Sequence, residues 1–351
     1  MIKPQVVSPD SQKVLVIMTD YHLGDFIMGL PTIEALADYF EYGIGLVIRE
    51  AHRPLVEHLP SAKKIAIHSY AAGRKVRNFR QLFVLLGLCL KLLFARYRTV
   101  FSVSYRITCS MIALSTLAPH RIGLTSARRN WVFNDQLTPV TTRHKMDFYA
   151  TVLTRIGLTQ RPPVVGPVPD EIDVQRVRKI IKDLDGPGDE FAVIHPFSGK
   201  VMRSWPKERF LNVADELIER YCLKVCLIGS PGERHQLEEM RHLAKQSGSI
   251  AVVADSMGMT LATLSLMGLF LGNLSGPAHL AGLISDAPII CISGPTDIRY
   301  WSPPPRHERM AMLHGQICPG KCMKDACKLE ARCIRQVQVE GVLFAIEKLV
   351  Q

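Results

Sequence analysis

Residues 14–37, VLVIMTDYHLGDFIMGLPTIEALA, decide the fold of this chain. The stretch opens with five consecutive apolar residues, which are typical of a strand buried on both faces of a sheet. A short polar turn follows at 19–25, and from Phe26 onward apolar residues recur at helical spacing. Strand, turn and helix in this order predict a βαβ unit, and therefore a parallel sheet that is covered by helices.

The same alternation extends along the chain and is interrupted once. Strands are predicted again at 44–48 and 100–103, and strands and helices resume after a proline-rich segment. Four prolines stiffen that segment into an extended linker. We therefore predict an α/β fold with two domains of similar size. The predicted parts are an N-terminal domain at 1–160, a linker at 161–173 and a C-terminal domain at 174–351.

The composition excludes several classes of protein. With 47% hydrophobic and 21% charged residues, the chain is neither disordered nor of low complexity. Its formal net charge of +11, from 43 Lys and Arg against 32 Asp and Glu, indicates an anionic partner. Because few aromatic residues lie among the basic clusters of the first half, we expect no nucleic-acid partner. These clusters include Arg74, Lys75, Arg77 and Arg121.

The N-terminus and one apolar segment bear on the compartment. Residues 1–13 are largely polar and lack the apolar core of a signal peptide, so we expect a reduced, cytoplasmic protein. The apolar segment 82–94 contains a lysine and falls short of the ~20 residues that a spanning helix needs. We interpret it as a buried helix, and a helix face resting on a membrane is the alternative.

A Gly-Asp pair, Gly24 and Asp25, lies where the first predicted strand passes into the first helix. Glycine permits a tight turn there, and the aspartate would lie at the helix N-terminus, at the sheet edge where such folds bind ligands. The turn lacks a GxGxxG pattern, so a dinucleotide fingerprint is not supported. From the residues alone, Asp25 is either an N-cap carboxylate or a functional group.

Three loops of the second half, 195–206, 272–282 and 293–304, each follow a predicted strand. They offer hydroxyls, small residues or cations just ahead of a helix, which is an arrangement suited to an anion such as phosphate. A solvated basic loop and a structural histidine are the plain alternatives. Because all three loops follow strands, we favour a shared phosphate site. The candidate residues are Ser198, Arg203, Ser275, Gly276, His279 and Thr296.

Four of the nine cysteines cluster near the C-terminus. Their number suits a structural zinc site, but the spacings of three, four and five residues differ from the paired CxxC of zinc ribbons. We expect free structural thiols, with a zinc site or a disulfide as the alternatives. The clustered residues are Cys318, Cys322, Cys327 and Cys333. The scattered ones, predicted to be small core residues, are Cys89, Cys109, Cys222, Cys226 and Cys291.

Taken together, these motifs resemble glycosyltransferase family 9, the lipopolysaccharide heptosyltransferases. The resemblance covers nearly the whole chain, 14–349, and depends on the order and spacing of the motifs. The first half contributes Gly24-Asp25, Pro31 and Arg121-Ile122-Gly123. The second half contributes His195-Pro196, Arg203-Ser204-Trp205-Pro206, Gly272-Asn273, Ser275-Gly276-Pro277, His279 and Gly294-Pro295-Thr296-Asp297. The C-terminal cysteine cluster is similar to one found in many members.

The resemblance implies a GT-B fold, in which two Rossmann-like domains face each other across a cleft. It implies an inverting transfer in which the first domain binds the acceptor and the second binds a nucleotide-sugar. The expected donor is ADP-heptose, and the expected acceptor is the lipopolysaccharide or lipid A core. The implied enzyme needs no cofactor and works as a peripheral protein at the inner face of the cytoplasmic membrane.

The resemblance also assigns roles to individual residues. The family's catalytic aspartate falls on Asp25, which would act as general base on the acceptor hydroxyl. Its donor-phosphate cation, commonly Lys, falls on Arg203, and Met259 matches a residue that packs near the adenine. The other expected donor-binding residues are Ser198, Ser275, Gly276, His279 and Thr296. The expected acceptor-binding residues are Arg74, Lys75, Arg77 and Arg121.

One position departs from the family pattern. The family has Asn-Asp-Ser-Gly-Pro, in which the Asp helps to hold donor hydroxyls, and this chain has Leu274 in its place. An apolar side chain cannot accept those hydrogen bonds. Three consequences are open: another nucleotide-sugar donor, a sugar held from elsewhere with Asp297 as candidate, or reduced activity. A nucleotide-sugar epimerase of the same architecture and a basic, zinc-carrying binding module are the competing functions.

Overall fold

Two six-stranded parallel sheets organise the chain, one in each of two units. By their internal contacts the units are Met1–Pro167, called unit 1, and Val168–Gln351, called unit 2. The boundary lies inside the proline-rich segment 161–173. The computed structural model describes residues 6–71, 79–104, 106–124, 131–141, 143–199, 203–294, 296–304, 308–315, 327 and 331–350.

Unit 1 begins with the predicted strand, whose four residues are all buried. Its strands are β1 (Val14–Ile17), β2 (Ile44–Arg49), β3 (Ile65–Tyr70), β4 (Thr99–Ser102), β5 (His120–Leu124) and β6 (Asp135–Leu137). Its helices are α1 (Leu23–Tyr39), α2 (Arg53–Glu57), α3 (Phe79–Ala95), α4 (Ile107–Ser115) and α5 (Lys145–Ala150). The strand order is β3-β2-β1-β4-β5-β6, with every neighbouring pair parallel. This is the doubly wound, Rossmann-like order.

Unit 2 repeats this topology. Its strands are β7 (Phe191–His195), β8 (Lys224–Ile228), β9 (Ile250–Val253), β10 (Leu269–Asn273), β11 (Ile289–Ser293) and β12 (Met310–His314). Its helices are α6 (Glu171–Lys182), α7 (Lys207–Tyr221), α8 (Arg234–Leu243), α9 (Met257–Leu266), α10 (Gly276–Ile284), α11 (Ile298–Trp301), α12 (Arg332–Arg335) and α13 (Val339–Val350). The order β12-β11-β10-β7-β8-β9 places the first and fourth strands of the unit side by side, as in unit 1. The predicted α/β class is confirmed.

The start of α1 differs from the prediction. The helix begins at Leu23 with His22 as its N-cap, so Asp25 lies inside the first turn and is not the N-cap residue. Gly24 is helical and is not among the described glycines with positive φ, so the expected tight turn is absent there. The carboxylate still benefits from the positive end of the helix dipole.

Helix α3 contradicts the prediction of a buried helix. Leu85, Leu88 and Leu92 are its buried residues, and most of its other apolar side chains are exposed. Helix α3 lies in the outer layer of unit 1, and only one of its sides covers the sheet. The apolar residues on its other side therefore stay exposed. Within the described parts of the chain, none of the helices combines the length and apolar character of a membrane-spanning segment.

The cysteines follow the prediction in part. Cys109, Cys226 and Cys291 are buried and Cys89 is half-buried. The prediction for Cys222 is wrong, because this residue is exposed and ends α7 in a left-handed conformation with φ of 53°. Of the C-terminal cluster, Cys333 is buried and Cys327 is half-buried, while Cys318 and Cys322 lie outside the described residues. The expectation of free thiols in this cluster therefore stays a prediction, with a zinc site or a disulfide as the alternatives.

Candidate active site

The strand order of unit 1 reverses between β1 and β4, and polar residues leave the carboxyl ends of both strands. Asp20 follows β1, and Ser104 and Arg106 follow β4. At such a reversal the connections run to opposite faces of the sheet and leave a crevice between them, which is where open α/β sheets bind ligands. The turn at 19–25 singled out in the sequence therefore borders the expected ligand site of unit 1.

Asp25 lies in this crevice beside a lysine from a distant part of the chain. Lys145 Nζ is 3.9 Å from Asp25 Oδ1, and both side chains are largely buried. Lys145 is the first residue of α5, which packs against α1. Its ammonium also lies 4.0 Å from the ring centroid of Phe148 and 4.9 Å from that of Tyr149. The two rings hold the cation against the carboxylate through cation–π contacts.

A second carboxylate, Asp20, lies deeper in the same crevice. Ser104 Oγ donates a hydrogen bond to Asp20 Oδ1 over 3.4 Å, and Arg106 Nε lies 3.8 Å from the same oxygen. The other carboxylate oxygen of Asp20 is buried and finds no hydrogen-bond partner among the described side chains and backbone. Two carboxylates and two cations thus share a poorly solvated site.

Burial dominates the proton affinities in this cluster. Burial raises the pKa of Asp20 to about 6, aided by the charge of Asp25 and opposed by Lys145, Arg106 and the Ser104 hydrogen bond. Burial also raises the pKa of Asp25 above its usual value, and the positive charges of Lys145, His22 and Arg106 oppose this. Asp25 is therefore a stronger base than an exposed aspartate, while the nearby ammonium favours its anionic form.

The pKa of Lys145 is likewise set by burial and by the neighbouring charges. Burial lowers the pKa of Lys145, and repulsion by Arg106 acts in the same direction, while the charges of Asp25 and Asp20 oppose them. The neighbouring end of β2 adds Arg49, whose guanidinium carbon lies 4.9 Å from the ring centroid of the exposed Tyr21. An aromatic face, a guanidinium and a basic carboxylate together suit a sugar that carries anionic groups.

Of the expected acceptor-binding residues, the structure describes Arg121, and it does not join this site. Arg121 lies near the start of β5, at the opposite edge of the sheet, since its register partner is Val100 near the start of β4. Its guanidinium donates hydrogen bonds to the carbonyl oxygens of Val132 at 2.7 Å and Ala118 at 2.5 Å. These bonds give Arg121 a local structural role. Arg74, Lys75 and Arg77 lie outside the described residues.

The corresponding reversal in unit 2 lies between β7 and β10, and Asn273 joins the loops that follow these strands. Its Oδ1 accepts a hydrogen bond from the amide of Trp205 at 2.9 Å, and its Nδ2 donates to the carbonyl oxygen of Pro196 at 2.8 Å. Asn273 is fully buried. The Trp205 indole in turn donates to the carbonyl oxygen of Val337 at 2.9 Å. The loops after both strands are thus fixed by a single buried amide.

Several predicted donor residues lie along this edge. Ser275 Oγ is 3.1 Å from His195 Nδ1, and Ser198 Oγ is 3.1 Å from Ser204 Oγ. Burial lowers the pKa of His195 to about 4, against the charge of Glu233, so the imidazole is neutral at pH 7. Gly276 and the buried His279 lie in the first turn of α10. These residues direct hydroxyls and helix amides toward the end of β10.

Arg203 and Thr296 extend the same edge toward β11. The Cγ atom of Arg203 lies 4.0 Å from where a β-carbon on Gly294 would be, just beyond the end of β11. Thr296 follows two residues later, and its amide donates to the carbonyl oxygen of Gly294 at 2.7 Å. The structure therefore brings Arg203 to the ends of the β7, β10 and β11 strands. Met259 is largely buried in α9, which follows β9, two strands away from β7.

Three further carboxylates of unit 2 have structural partners. Asp297 caps α11 by accepting a hydrogen bond from the amide of Arg299 at 3.1 Å. Glu233 forms a capping box with Ser230, and Asp255 pairs with Arg234. Leu274 is half-buried, and its amide donates to the carbonyl oxygen of Ile292 at 2.9 Å. Its side chain brings no hydrogen-bonding group to this edge.

Sequence reasoning missed the functional environment of Asp25. Asp20 is part of the quoted turn, and Arg106 follows a predicted strand. Their positions after strands were therefore a signal that both could lie at the ligand-binding edge of the sheet. Lys145 carried none, because it is 120 positions away in the chain and its proximity to Asp25 depends on the packing of α5 on α1. Among the described side chains, no group of three or more His, Cys, Asp or Glu is placed to hold a metal ion.

Comparison with known proteins identifies the family of this chain. The family model described as glycosyltransferase family 9 (heptosyltransferase) matches residues 88–332, more than half of the chain. This chain therefore belongs to glycosyltransferase family 9, and it is a glycosyltransferase.

Individual relatives are more distant. The chain is 28% identical to the Escherichia coli protein named lipopolysaccharide heptosyltransferase 3 over 132 residues, which cover 36% of this chain and 38% of the length of that relative. A solved glycosyl transferase family 9 structure from Veillonella parvula aligns with a TM-score of 0.78 and 20% identity, covering 97% of this chain and 98% of that one. A structure titled ADP-heptose lps heptosyltransferase II, from E. coli, aligns with a TM-score of 0.74 and 16% identity, covering 97% and 98%. These structures show the shared GT-B fold.

Proposed function

We propose that this enzyme transfers a heptose from ADP-heptose to a sugar of the lipopolysaccharide core, with inversion at the anomeric carbon. The names of the similar E. coli proteins support the donor and acceptor classes. The observation that carries the proposal is the buried carboxylate of Asp25, held 3.9 Å from Lys145 at the strand reversal of unit 1. We further propose that the enzyme acts as a cytoplasmic, peripheral protein at the inner face of the membrane.

In this proposal Asp25 is the general base. Its carboxylate takes the proton of the acceptor hydroxyl while that oxygen attacks the anomeric carbon of the donor sugar. The bond between that carbon and the β-phosphate oxygen breaks, and ADP leaves from the opposite face. The raised pKa of Asp25 makes its carboxylate a stronger base. The positive charge of Lys145 favours the anionic form of Asp25 before the proton is transferred.

Unit 2 would bind the donor through its diphosphate. Arg203, the hydroxyl of Ser275 and the amides at the start of α10 lie at the edge formed by β7, β10 and β11. A guanidinium and helix amides stabilise the negative charge that develops on a leaving diphosphate. We propose that these groups act without a cofactor, and that Met259 lies on the adenine side of the donor.

A donor screen tests the proposal. ADP-heptose and common UDP- and GDP-sugars are incubated with truncated core oligosaccharides, and the products are weighed by mass spectrometry. We expect a mass increase of one heptose on the acceptor with ADP-heptose alone. Transfer from a different nucleotide-sugar would contradict the proposal that ADP-heptose is the donor. The replacement of the family's Asp by Leu274 would then account for the different donor. Release of a free or epimerised sugar without acceptor would contradict the transferase function and favour the epimerase.

A further inference from the structure

The exposed apolar residues of unit 1 concentrate on two neighbouring helices. On each helix they recur at successive turns along one side, and Phe79 and Phe94 are each 79% exposed. Soluble proteins expose single apolar residues freely, but a contiguous set of large ones marks an interaction surface. We call this set the apolar face. Its members are Phe79, Phe83, Leu86, Leu90 and Phe94 on α3, and Ile107, Met111, Leu114 and Leu117 on and just after α4.

The two stripes lie on the same side of the unit. Helix α3 packs against α4, and the inner residues of both belong to one core over the same face of the sheet. Leu88 and Leu92 contribute to that core from α3, and Cys109 and Ile112 from α4. Because both helices cover the sheet with their inner sides, their outer sides form one exposed surface.

The stretch of sequence that contains both helices carries charge of a single sign. Residues 58–134 contain thirteen Lys and Arg and no Asp or Glu. Arg80 and Lys91 are exposed on α3 itself, and Arg96 and Arg98 are exposed just after it. The excess over this segment is larger than the formal net charge of the whole chain, which is +11. A partner that is both apolar and anionic therefore matches the exposed apolar side chains and the exposed Arg80, Lys91, Arg96 and Arg98.

We propose that the apolar face docks onto the surface of an anionic lipid bilayer. Large apolar side chains enter the boundary between headgroups and acyl chains, and flanking Lys and Arg meet lipid phosphates. The lysine stem on α3 is long enough to keep its ammonium at the headgroups while the helix lies at the boundary. A second copy of the chain fits less well, because it would bring two surfaces of the same positive charge together.

The apolar face also reaches the candidate active site. Helix α4 begins at the exposed Ile107, directly after Arg106, whose Nε lies 3.8 Å from Asp20 Oδ1. A bilayer in contact with this face would hold a lipid-linked acceptor next to the crevice. Docking deepens the proposed peripheral location by naming the surface that makes the contact, and this last step also rests on the proposed transfer reaction.

Sedimentation with vesicles tests docking. The full chain is mixed with vesicles of phosphatidylcholine alone, or of phosphatidylcholine and phosphatidylglycerol at about two to one. We expect co-sedimentation with the anionic vesicles, weakened by salt. The apolar variant Phe83→Ser with Leu90→Ser and the charge variant Arg80→Glu with Lys91→Glu should each reduce the bound fraction by at least ~tenfold at limiting lipid.

Matched controls alter exposed residues of unit 2. Leu243→Ser and the pair Arg178→Glu with Lys179→Glu should bind vesicles like the unaltered chain. Equal binding by the apolar variant and the unaltered chain would overturn the proposal, as would absence of vesicle binding. A dimer that the apolar variant dissociates, seen by light scattering without vesicle binding, would overturn it in favour of self-association.

An activity comparison separates docking from the proposed function. With the donor identified in the screen, transfer to a water-soluble core oligosaccharide should be unchanged in the apolar variant, and transfer to acceptor embedded in vesicles should fall by at least ~tenfold. Equal loss on both acceptors would contradict the link between docking and acceptor delivery. If no donor supports transfer, the proposed function fails, and the sedimentation result still decides docking.

Discussion

The pKa of Asp25 depends both on its burial and on the cation buried beside it. Burial alone would favour protonation and remove the base at moderately low pH. Lys145 counters this from 3.9 Å, and the rings of Phe148 and Tyr149 fix its ammonium in place. The sequence identified Asp25 through its motif, but nothing in the sequence marked Lys145, whose charge lowers the pKa of Asp25. Motif spacing carries no information about contacts between residues 120 positions apart.

Replacement of Lys145 should change the pH dependence of transfer. In Lys145→Met the apolar stem is kept and the charge that lowers the pKa of Asp25 is lost, so the acid limb of kcat/KM should move to higher pH. Lys145→Arg keeps the charge and should retain the limb near its original position. The measurement is kcat/KM against pH for all three proteins. An unchanged limb in Lys145→Met would show that the lysine does not tune the base.

Asp20 should make stability depend on pH in a defined direction. Its pKa is about 6 in the folded protein and 3.8 as the reference value, so the folded state binds more protons between these values. The free energy of unfolding contributed by Asp20 therefore falls as pH rises through this window and is lowest above it. Asp20→Asn should be more stable than the unaltered chain at pH 8, by ~1–3 kcal/mol, and similar at pH 4.

Urea unfolding at the two pH values checks this difference. Asp183→Asn, which removes an exposed carboxylate at the end of α6, serves as the control and should show no such pH-dependent gain. A loss of stability in Asp20→Asn at pH 8 would show that the ion pair with Arg106 outweighs the cost of burial.

The individual elements differ in how far the sequence predicts them. Helix α7 is well marked in the sequence, because Pro206 directly precedes its start and its apolar residues keep one periodicity. Strands β3, β5 and β6 were not predicted, because they are short or mix polar with apolar residues toward one side of the sheet. The exposed side of α3 was missed for another reason: an almost continuous apolar run does not reveal which side faces the core.

Asn273 holds together the loops that follow β7 and β10, and no sequence pattern indicated this role. Its side chain satisfies the buried amide of Trp205 and the carbonyl oxygen of Pro196, and so holds the loop that carries Ser198 and Arg203 beside the loop that carries Ser275. Loss of this side chain would leave both backbone groups without their partner. Each such group costs free energy when it stays buried.

Asn273→Ala should therefore weaken both the fold and the donor site. We expect a loss of ~1–3 kcal/mol in the free energy of unfolding and weaker binding of ADP. Denaturant titration and calorimetry measure the two effects, with the exposed Asn212→Ala on α7 as a matched control that changes neither. Unaltered ADP affinity in Asn273→Ala would place the donor site away from these loops.

At the scale of the whole molecule, the chain carries one Rossmann-like topology twice. Both units have their first and fourth strands side by side, so each has a strand reversal with a candidate site at its carboxyl edge. The α/β class followed from the alternation of apolar runs and helical patterns. The expectation that unit 1 binds the acceptor and unit 2 binds the donor followed from the family resemblance, since periodicity alone does not distinguish an acceptor site from a donor site.

Hydrogen exchange should locate the donor site. With ADP bound, we expect slower amide exchange at the carboxyl edge of the unit 2 sheet, because a bound diphosphate would restrain the loops there. The peptides of interest cover 196–199, 203–206, 274–280 and 294–298, and mass spectrometry of deuterated fragments reports them. Slower exchange at the turn 19–25 of unit 1, with no change in these peptides, would contradict the assignment of the donor to unit 2.

If Asp25 is the base of a glycosyl transfer, Asp25→Asn should remove most of the activity. The variant keeps the shape of the side chain and removes its capacity to accept a proton. Measured with the donor that the screen identifies, kcat should fall by ~10²–10⁴ while the affinity for ADP stays within about twofold, because the diphosphate is bound by unit 2. Retention of kcat within about tenfold would show that Asp25 is not the general base.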